Sequence, residues 1–183
     1  MTWFNSDGLL VKFGREEGAL SRGGEISDGT WNHCIVFEIN WTDVLSATPA
    51  VLGSVARSTG EAVGTYGVVV PEGARIVALE ILVKTPFTSS GTIGSSTLVI
   101  GTKKDSDLST ELDHDGFTTS SFVAGVLDGA GERTTVIPGV TGAGDDYGTT
   151  LAESGVICVS NSAHASHPYT AGKALCRLFY YLP

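Results

Sequence analysis

The chain has 183 residues with 11 Lys and Arg against 20 Asp and Glu, so its formal net charge is −9. That length fits one domain, or one domain with an appendage, and 42% hydrophobic against 17% charged residues excludes disorder of the whole chain. The acidic balance argues against nucleic acid and membranes as partners, because anionic surfaces are bound through clustered Lys and Arg. The 24 glycines and the scarcity of helix-favouring residues disfavour a helical bundle and predict an all-β fold.

The N-terminal part of the chain differs in composition from the rest. Residues 1–30 hold several glycines and alternating charges, with few large apolar side chains after Phe13. Such a segment buries too little surface to hold itself rigid, so it is interpreted as an arm that packs along the domain or waits for a partner. The predicted division is an arm with a connecting segment over 1–57 and a β-sandwich domain over 58–183. The first residues contain no basic region followed by an apolar one, so we expect no secretory signal and synthesis in a cytoplasm.

Later parts of the chain alternate apolar and polar residues with the period of two that is typical of strands. The clearest run is 75–84, in which Val77, Leu79, Ile81 and Val83 are predicted to share one face. The other predicted strands are 9–13, 35–41, 66–70, 97–101, 121–127, 133–137, 155–160 and 174–182. Clusters of Gly, Asp and Ser separate these strands, and the lack of helical segments between them points to a sandwich or barrel.

One stretch departs from the strand pattern. Residues 43–57 space their apolar side chains at three to four positions but contain Pro49. Because proline breaks a helix interior, this stretch is predicted to form at most a short helix or an irregular connection.

Sequence motifs that would indicate catalysis or cofactor binding are missing. There is no Gly-x-Ser-x-Gly nucleophile elbow, and the pair at 172–173 lacks both the leading glycine and the Ser or Thr of a phosphate-binding loop. The glycines of 142–148 are spaced one residue too widely for the dinucleotide fingerprint. The protein is therefore not expected to be an enzyme, and no catalytic residue, cofactor or metal site is predicted.

Three groups of residues have side chains that bind metals in other proteins. His164 and His167 could present two imidazoles on one helical turn, but their flanks indicate a loop and a solvated pair. The cysteines match no zinc spacing and are interpreted as reduced core residues; they are Cys34, Cys158 and Cys176. A third group resembles part of a calcium loop without its full pattern, so an exposed acidic loop is predicted and calcium binding is left open. Its members are Asp105, Asp107, Glu111, Asp113 and Asp115.

Several segments give the chain a resemblance to a known class of proteins. Residues 68–88 begin with Val-Val-Val-Pro-Glu-Gly-Ala-Arg-Ile and precede a Ser- and Gly-rich turn and the strand 96–102. Residues 170–181 place an Ala-Gly turn before a last strand that ends in aromatic residues. Both patterns resemble those of jelly-roll structural proteins of tailed bacteriophages. The opening, 5–14 with 23–25, is similar to the start of small virion proteins encoded near the major capsid protein.

The resemblance implies a head decoration, or cement, protein with a jelly-roll-like β-sandwich and an extended N-terminal arm. Such a protein binds the outside of the capsid in the virion and stabilises the capsid lattice. The implied partner is the major capsid protein of the same virion, and a homo-oligomer is expected, with a trimer favoured. Apolar side chains on a loosely held arm need a partner surface, so they are the predicted capsid contacts. These residues are Trp3, Phe4, Leu9, Val11 and Phe13.

Two other functions stay open at this point. A receptor- or glycan-binding module of a tail fibre or spike would use an exposed aromatic and carboxylate site, for instance Tyr147 with Asp145 and Asp146. An enzyme on the same scaffold, such as a cupin, would need histidines clustered with a carboxylate on neighbouring strands. The histidines of this chain lie mostly in predicted loops.

Overall fold

The structure, a computed structural model, describes residues 2–4, 10–13, 24–27, 33–52 and 68–182. Short 3₁₀ helices lie at Trp41–Asp43, Ile93–Ser95 and Ala124–Val126. In the described parts, no helix is long and apolar enough to cross a membrane. The strands are β1 Thr2–Phe4, β2 Leu10–Phe13, β3 Gly24–Ser27, β4 His33–Asn40, β5 Ala50–Val51, β6 Val69–Val70, β7 Arg75–Ser89, β8 Val99–Lys104, β9 Glu111–Thr118, β10 Arg133–Val136, β11 Gly155–Ser160 and β12 Tyr169–Tyr181.

The strands form two antiparallel sheets. The larger sheet has the order β1-β2-β3-β4-β12-β7-β10, and the smaller has the order β5-β11-β8-β9, with β6 also paired to β11. Counting β4 as the first strand and leaving out β6, the chain orders are 1-8-3-6 in the larger sheet and 2-7-4-5 in the smaller. This interleaving of two sheets is the arrangement of a jelly roll. The predicted all-β, jelly-roll-like sandwich is confirmed.

The hydrophobic core lies between the two sheets. Alternate residues of β4, β7 and β12 point inward, among them Phe37, Leu79 and Leu178, which are fully buried. They pack in one cluster with Ile100 of β8 and Ile157 of β11. Because strand side chains alternate between faces, this inward set follows directly from the period-two pattern in the sequence.

The predicted face of β7 is wrong at one residue, Val77. Leu79, Ile81 and Val83 are buried as predicted, but Val77 is 44% exposed and Ile76 is buried in its place. In the pairing with β12, Ala78 lies opposite Phe179 and Ile76 opposite the next residue, so β7 carries one extra residue at Val77. Such a bulge reverses the facing of all residues beyond it.

Other predicted strands agree with the structure to different extents. The strand predicted over 155–160 coincides with β11, and those predicted over 35–41 and 133–137 correspond to β4 and β10. The strand predicted over 121–127 is wrong, because this stretch folds around the 3₁₀ helix Ala124–Val126. Residues 43–57 form an irregular connection, as predicted, in the part that the structure describes, with β5 as a two-residue strand.

Residues 1–57, the predicted arm and connecting segment, contribute strands to both sheets. β4 lies between β3 and β12, and its inward residues belong to the main core, while β5 pairs with β11. β1, β2 and β3 extend the larger sheet beyond β4. That residues 58–183 form a domain of their own stays a prediction.

Candidate functional site

The edge strand of the smaller sheet departs from regular pairing. β9 pairs with β8 at Thr102↔Asp113 and at Ile100↔Thr118, so a short step along β8 corresponds to a much longer stretch of β9. The extra residues of β9 pass directly over Gly101 of β8. A Cβ added at Gly101 would overlap the carbonyl oxygen of Asp113 and the backbone of His114. Only glycine permits so close an approach of two backbones. The result is a wide bulge at the edge of the sheet.

This bulge brings two distant parts of the chain together. The backbone N–H of Gly144 donates to the carbonyl of Phe117 at 3.1 Å, and that of Asp146 donates to the carbonyl of Gly116 at 3.1 Å. A Cβ added at Gly116 would overlap the Asp146 carboxylate, so this carboxylate lies directly against the bulge. Four carboxylates gather there, and we call them the aspartate cluster: Asp113, Asp115, Asp145 and Asp146.

Two members of the aspartate cluster, Asp113 and Asp146, have pKa values well above the ordinary value of an aspartate. Burial, the negative charge of Asp146 and a hydrogen bond with Asp145 raise the pKa of Asp113 to about 7. Burial and the negative charges of Asp145 and Asp115 raise the pKa of Asp146 to about 6. The Oδ2 atom of Asp146 is buried and has no hydrogen-bond partner in the described structure. Burial and like charges at short range both favour the protonated form of a carboxyl, so Asp113 and Asp146 release their protons at a higher pH than isolated aspartates do.

Two of the remaining residues of the predicted acidic loop, Asp107 and Glu111, have structural partners instead. Asp107 accepts hydrogen bonds from the Ser109 hydroxyl at 2.6 Å and the Thr110 hydroxyl at 2.6 Å, which lower the pKa of Asp107 to about 2. Glu111 lies 3.1 Å from Nδ1 of His114. The prediction of an exposed loop over 105–115 is therefore wrong for its second half, which is β9. Among the described residues, no three His, Cys, Asp or Glu side chains are arranged to hold a metal ion.

The two histidines predicted to form a solvated pair have local structural roles. Nδ1 of His167 accepts a hydrogen bond from the backbone of Thr92 at 3.0 Å, and its carbonyl accepts one from Ser96 at 2.9 Å. His167 thus joins the loop before β12 to the turn after β7. His164 is half-buried, and its Nδ1 is buried without a partner among the described groups. The prediction of a solvated pair is wrong.

Tyr147 does not form the exposed aromatic site that a glycan-binding module would use. Its side chain is buried, and its hydroxyl donates to the carbonyl of Phe117 at 3.1 Å. Burial and the nearby charge of Asp146 raise the pKa of this hydroxyl. Tyr147 therefore anchors the loop that carries Asp145 and Asp146 to the core.

The cysteines agree with their interpretation as reduced residues, and two of them are buried. Cys158 and Cys176 are fully buried, and Cys34 is partly exposed. Burial raises the pKa of all three thiols, to about 12 for Cys158. A thiol with a raised pKa is a poor nucleophile, because the thiolate is the reactive form.

The predicted capsid contacts lie in the N-terminal strands where the structure describes them. Trp3 and Phe4 belong to β1, and Val11 and Phe13 belong to β2, with Trp3 opposite Val11 in register. Leu9 lies outside the described residues. Their role in capsid binding stays a prediction.

No protein-family model matches the chain, and neither does any curated protein. Among solved structures, a chain of the "Cyanophage Pam1 capsid asymmetric unit" is similar to it, with a TM-score of 0.49 and 12% sequence identity. That similarity covers 93% of this chain and 94% of the other. A similarity of this extent identifies neither a family nor a function.

Proposed function

We propose that the protein is a structural component of a tailed-phage virion, and specifically a decoration protein that binds the outer surface of the head and stabilises the capsid lattice. The observation that carries the proposal is the place of the two resembling segments in the jelly roll. Residues 68–88 form β6, a turn and almost all of β7, while residues 170–181 lie in β12. These segments pair with each other from Arg75 and Tyr181 to Thr88 and Ala171.

The local geometry supports the same assignment. The turn that leads into β7 contains Gly73, whose φ of +81° is a conformation that glycine adopts without strain. The Ala-Gly pair, which was predicted to form a turn before the last strand, lies inside β12 at a register shift, and its Gly172 has a φ of +140° directly against the Phe87 ring. The features that carry the resemblance are therefore structural requirements of the central strand pair.

The proposal includes the partners and location that the resemblance implies. The major capsid protein of the same virion is the proposed partner, and a homo-oligomer, with a trimer favoured, is the proposed form. The role is non-enzymatic, on the capsid surface, after synthesis in the host cytoplasm. It involves neither nucleic acid nor a membrane.

Co-sedimentation with expanded heads of the corresponding phage tests the proposal. The purified protein is mixed with heads that lack it, and bound protein is measured per capsid over a concentration series. We expect saturation at a fixed copy number, and unexpanded heads serve as the control lattice. A protein that stays in the supernatant at every concentration would contradict a decoration role. Binding to a glycan array would then favour the tail-fibre alternative.

The predicted contacts in the N-terminal strands are tested by point substitutions. Deletion of residues 1–30 would remove β1, β2 and β3 and uncover the edge of β4. Single replacements Trp3→Ala and Phe13→Ala keep these strands, and Thr2→Ala is the matched control in β1. We expect the first two to weaken capsid binding about tenfold or more, because buried aromatic residues dominate most interfaces. Binding equal to that of the control would show that the contacts lie elsewhere.

A further inference from the structure

The outer face of the larger sheet carries most of the described positive charge. Residues 33–52 and 68–182 contain seven Lys and Arg, of which five lie on β7, β10 and β12. The acidic residues on these strands and on β4 are Glu80 and Glu38. We call the five basic residues the cationic face: Arg75, Lys84, Arg133, Lys173 and Arg177.

The acidic residues of this sheet do not neutralise it. Glu80 is only 13% exposed and lies 3.0 Å from both Arg133 and Arg177, so one carboxylate is shared by two guanidinium groups. Glu38 pairs with Lys173 at 2.9 Å. Within the described part of the chain, neither Arg75 nor Lys84 has a carboxylate partner, and both are exposed. A net positive surface therefore lies on a strongly acidic protein.

Apolar side chains lie between these charges. Leu82 and Leu175 are paired across β7 and β12 on the outer face, and both are half-buried. Phe179 is half-buried four residues further along β12, and the bulge of β7 turns Val77 outward with 44% exposure. An apolar centre with a charged rim is the usual composition of a protein–protein interface.

The opposite charge accumulates at the edge of the smaller sheet. Asp107 and Glu111 are exposed, and the aspartate cluster follows along β9 and the loop that joins it. Lys104 pairs with Glu153 at 2.6 Å and helps to lower the pKa of Asp107, while Lys103 is buried opposite Glu111, so the two nearby lysines offset part of this negative charge. The outer face of one sheet and the edge of the other point in different directions in a sandwich. The loop that carries Asp145 and Asp146 meets this sheet at the Arg75 end of β7, where Tyr147 bridges Ile76, whereas Lys84 and Lys173 lie further along the sheet.

We propose that the cationic face binds the acidic edge of a second copy of this chain, head to tail. The acidic edge consists of Asp107, Glu111 and the aspartate cluster. Contacts between two different surfaces of identical chains are heterologous, and they generate a closed ring when the rotation between copies allows it. Charge complementarity directs the approach, and the apolar centre of the cationic face is covered on binding. This interface is independent of the proposed capsid role, since the free protein would associate without any capsid.

Charge reversal on each surface tests the interface. One variant combines Arg75→Glu with Lys84→Glu, which leaves the Arg133, Glu80 and Arg177 group intact. The other combines Asp115→Lys with Asp145→Lys on the acidic edge. A control, Ala165→Lys with Ser166→Lys, adds positive charge at exposed positions of the loop before β12, on neither surface.

Sedimentation equilibrium at low and high salt gives the readout. We expect the wild-type protein to associate with a dissociation constant that rises about tenfold or more at high salt. Each reversed variant alone is expected to sediment as a monomer, the control to associate as wild type, and an equimolar mixture of the two variants to associate again. A wild-type protein that is monomeric, or that associates regardless of salt, would overturn the proposal. So would a mixture that fails to associate when circular dichroism shows both variants folded.

If a reversed variant does not fold, the neutral variant Lys84→Gln replaces it, and its association should be weaker than that of the control at low salt only. Equal association of Lys84→Gln and the control at low salt would also count against the cationic face. Capsid binding is measured separately, so a failure of this interface is distinguishable from a failure of the decoration role.

Discussion

In the centre of the larger sheet, β7 and β12 keep eleven register pairs, whereas at the edge of the smaller sheet β9 keeps three with β8. Over most of their length the central strands alternate buried residues with half-buried or exposed ones, and their stability comes from apolar packing. The path of β9 instead depends on glycines that allow close backbone approach, and its Asp113 has a raised pKa. Packing thus fixes the scaffold, whereas the edge strand follows close backbone approaches at glycines and carries several carboxylates, two of them with raised pKa values.

The largest loss of stability is expected for a substitution in the central strand pair, β7 and β12. Leu178 is fully buried in β12, so Leu178→Ala should lower the free energy of unfolding by about 2–5 kcal/mol through lost packing and a residual cavity. Urea denaturation provides the measurement. Leu175→Ala, on the outer face of the same strand, is the control and should cost no more than about 1 kcal/mol. Equal losses at both sites would contradict the assignment of the two faces.

The second-largest loss of stability is expected at Gly101, the glycine of β8 that lies against the edge strand β9. Gly101→Ala would place a methyl group against the backbone of Asp113 and His114, and we expect a loss of about 1–3 kcal/mol. Gly94→Ala is the matched control, because an added Cβ there meets open space. If the two variants unfold at the same urea concentration, the close approach of β9 to β8 is not part of the folded state.

The aspartate cluster should make stability depend on pH. The pKa values of Asp113 and Asp146 are raised in the folded state. Their stabilising contribution to the free energy of unfolding is therefore complete below about pH 4 and is lost as the pH rises through about 6 and 7. Asp146→Asn should therefore stabilise the protein at pH 8, by on the order of 1 kcal/mol once solvent screening is allowed for, and flatten the profile. Thermal unfolding between pH 4 and 8 measures both.

Asp107 provides the control of opposite sign. The pKa of Asp107 is lowered in the folded state, so its stabilising contribution to the free energy of unfolding is present above about pH 4 and is lost as the pH falls towards 2. Asp107→Asn should lower the melting temperature at pH 8, where Asp146→Asn raises it. Parallel shifts of both variants would show that general charge repulsion, rather than the cluster, sets the pH dependence.

The smallest effect is expected for the exposed ion pair on the larger sheet. Lys173→Met removes the pair with Glu38, which is only partly buried, and should change the free energy of unfolding by less than about 0.5 kcal/mol. A loss above 1 kcal/mol in the same urea assay would mean that charge pairs, and not only packing, hold the centre of the sheet.

The sequence predicts the centre of the molecule better than its edge. Alternation identifies the inward residues of β12, which buries one face in the core, and a short apolar run identifies β11, which is buried at every residue. The alternation predicts the wrong face for Val77, because the bulge there depends on the pairing of β7 with β12 and is not visible in the local sequence. The aspartate cluster joins residues of β9 to a loop far along the chain, and the only local signal is a pair of glycines, Gly116 and Gly144, beside the aspartates.

The last strand of the larger sheet has a consequence for how copies of the protein meet. In the described structure β10 is four residues long and pairs on one side only, with β7. It begins at the charged, exposed Arg133 and is followed closely by Pro138, which cannot donate a backbone hydrogen bond. Short, charged edges of this kind resist pairing with strands of other chains. Molecules crowded side by side would therefore keep their sheets separate instead of merging into a continuous aggregate.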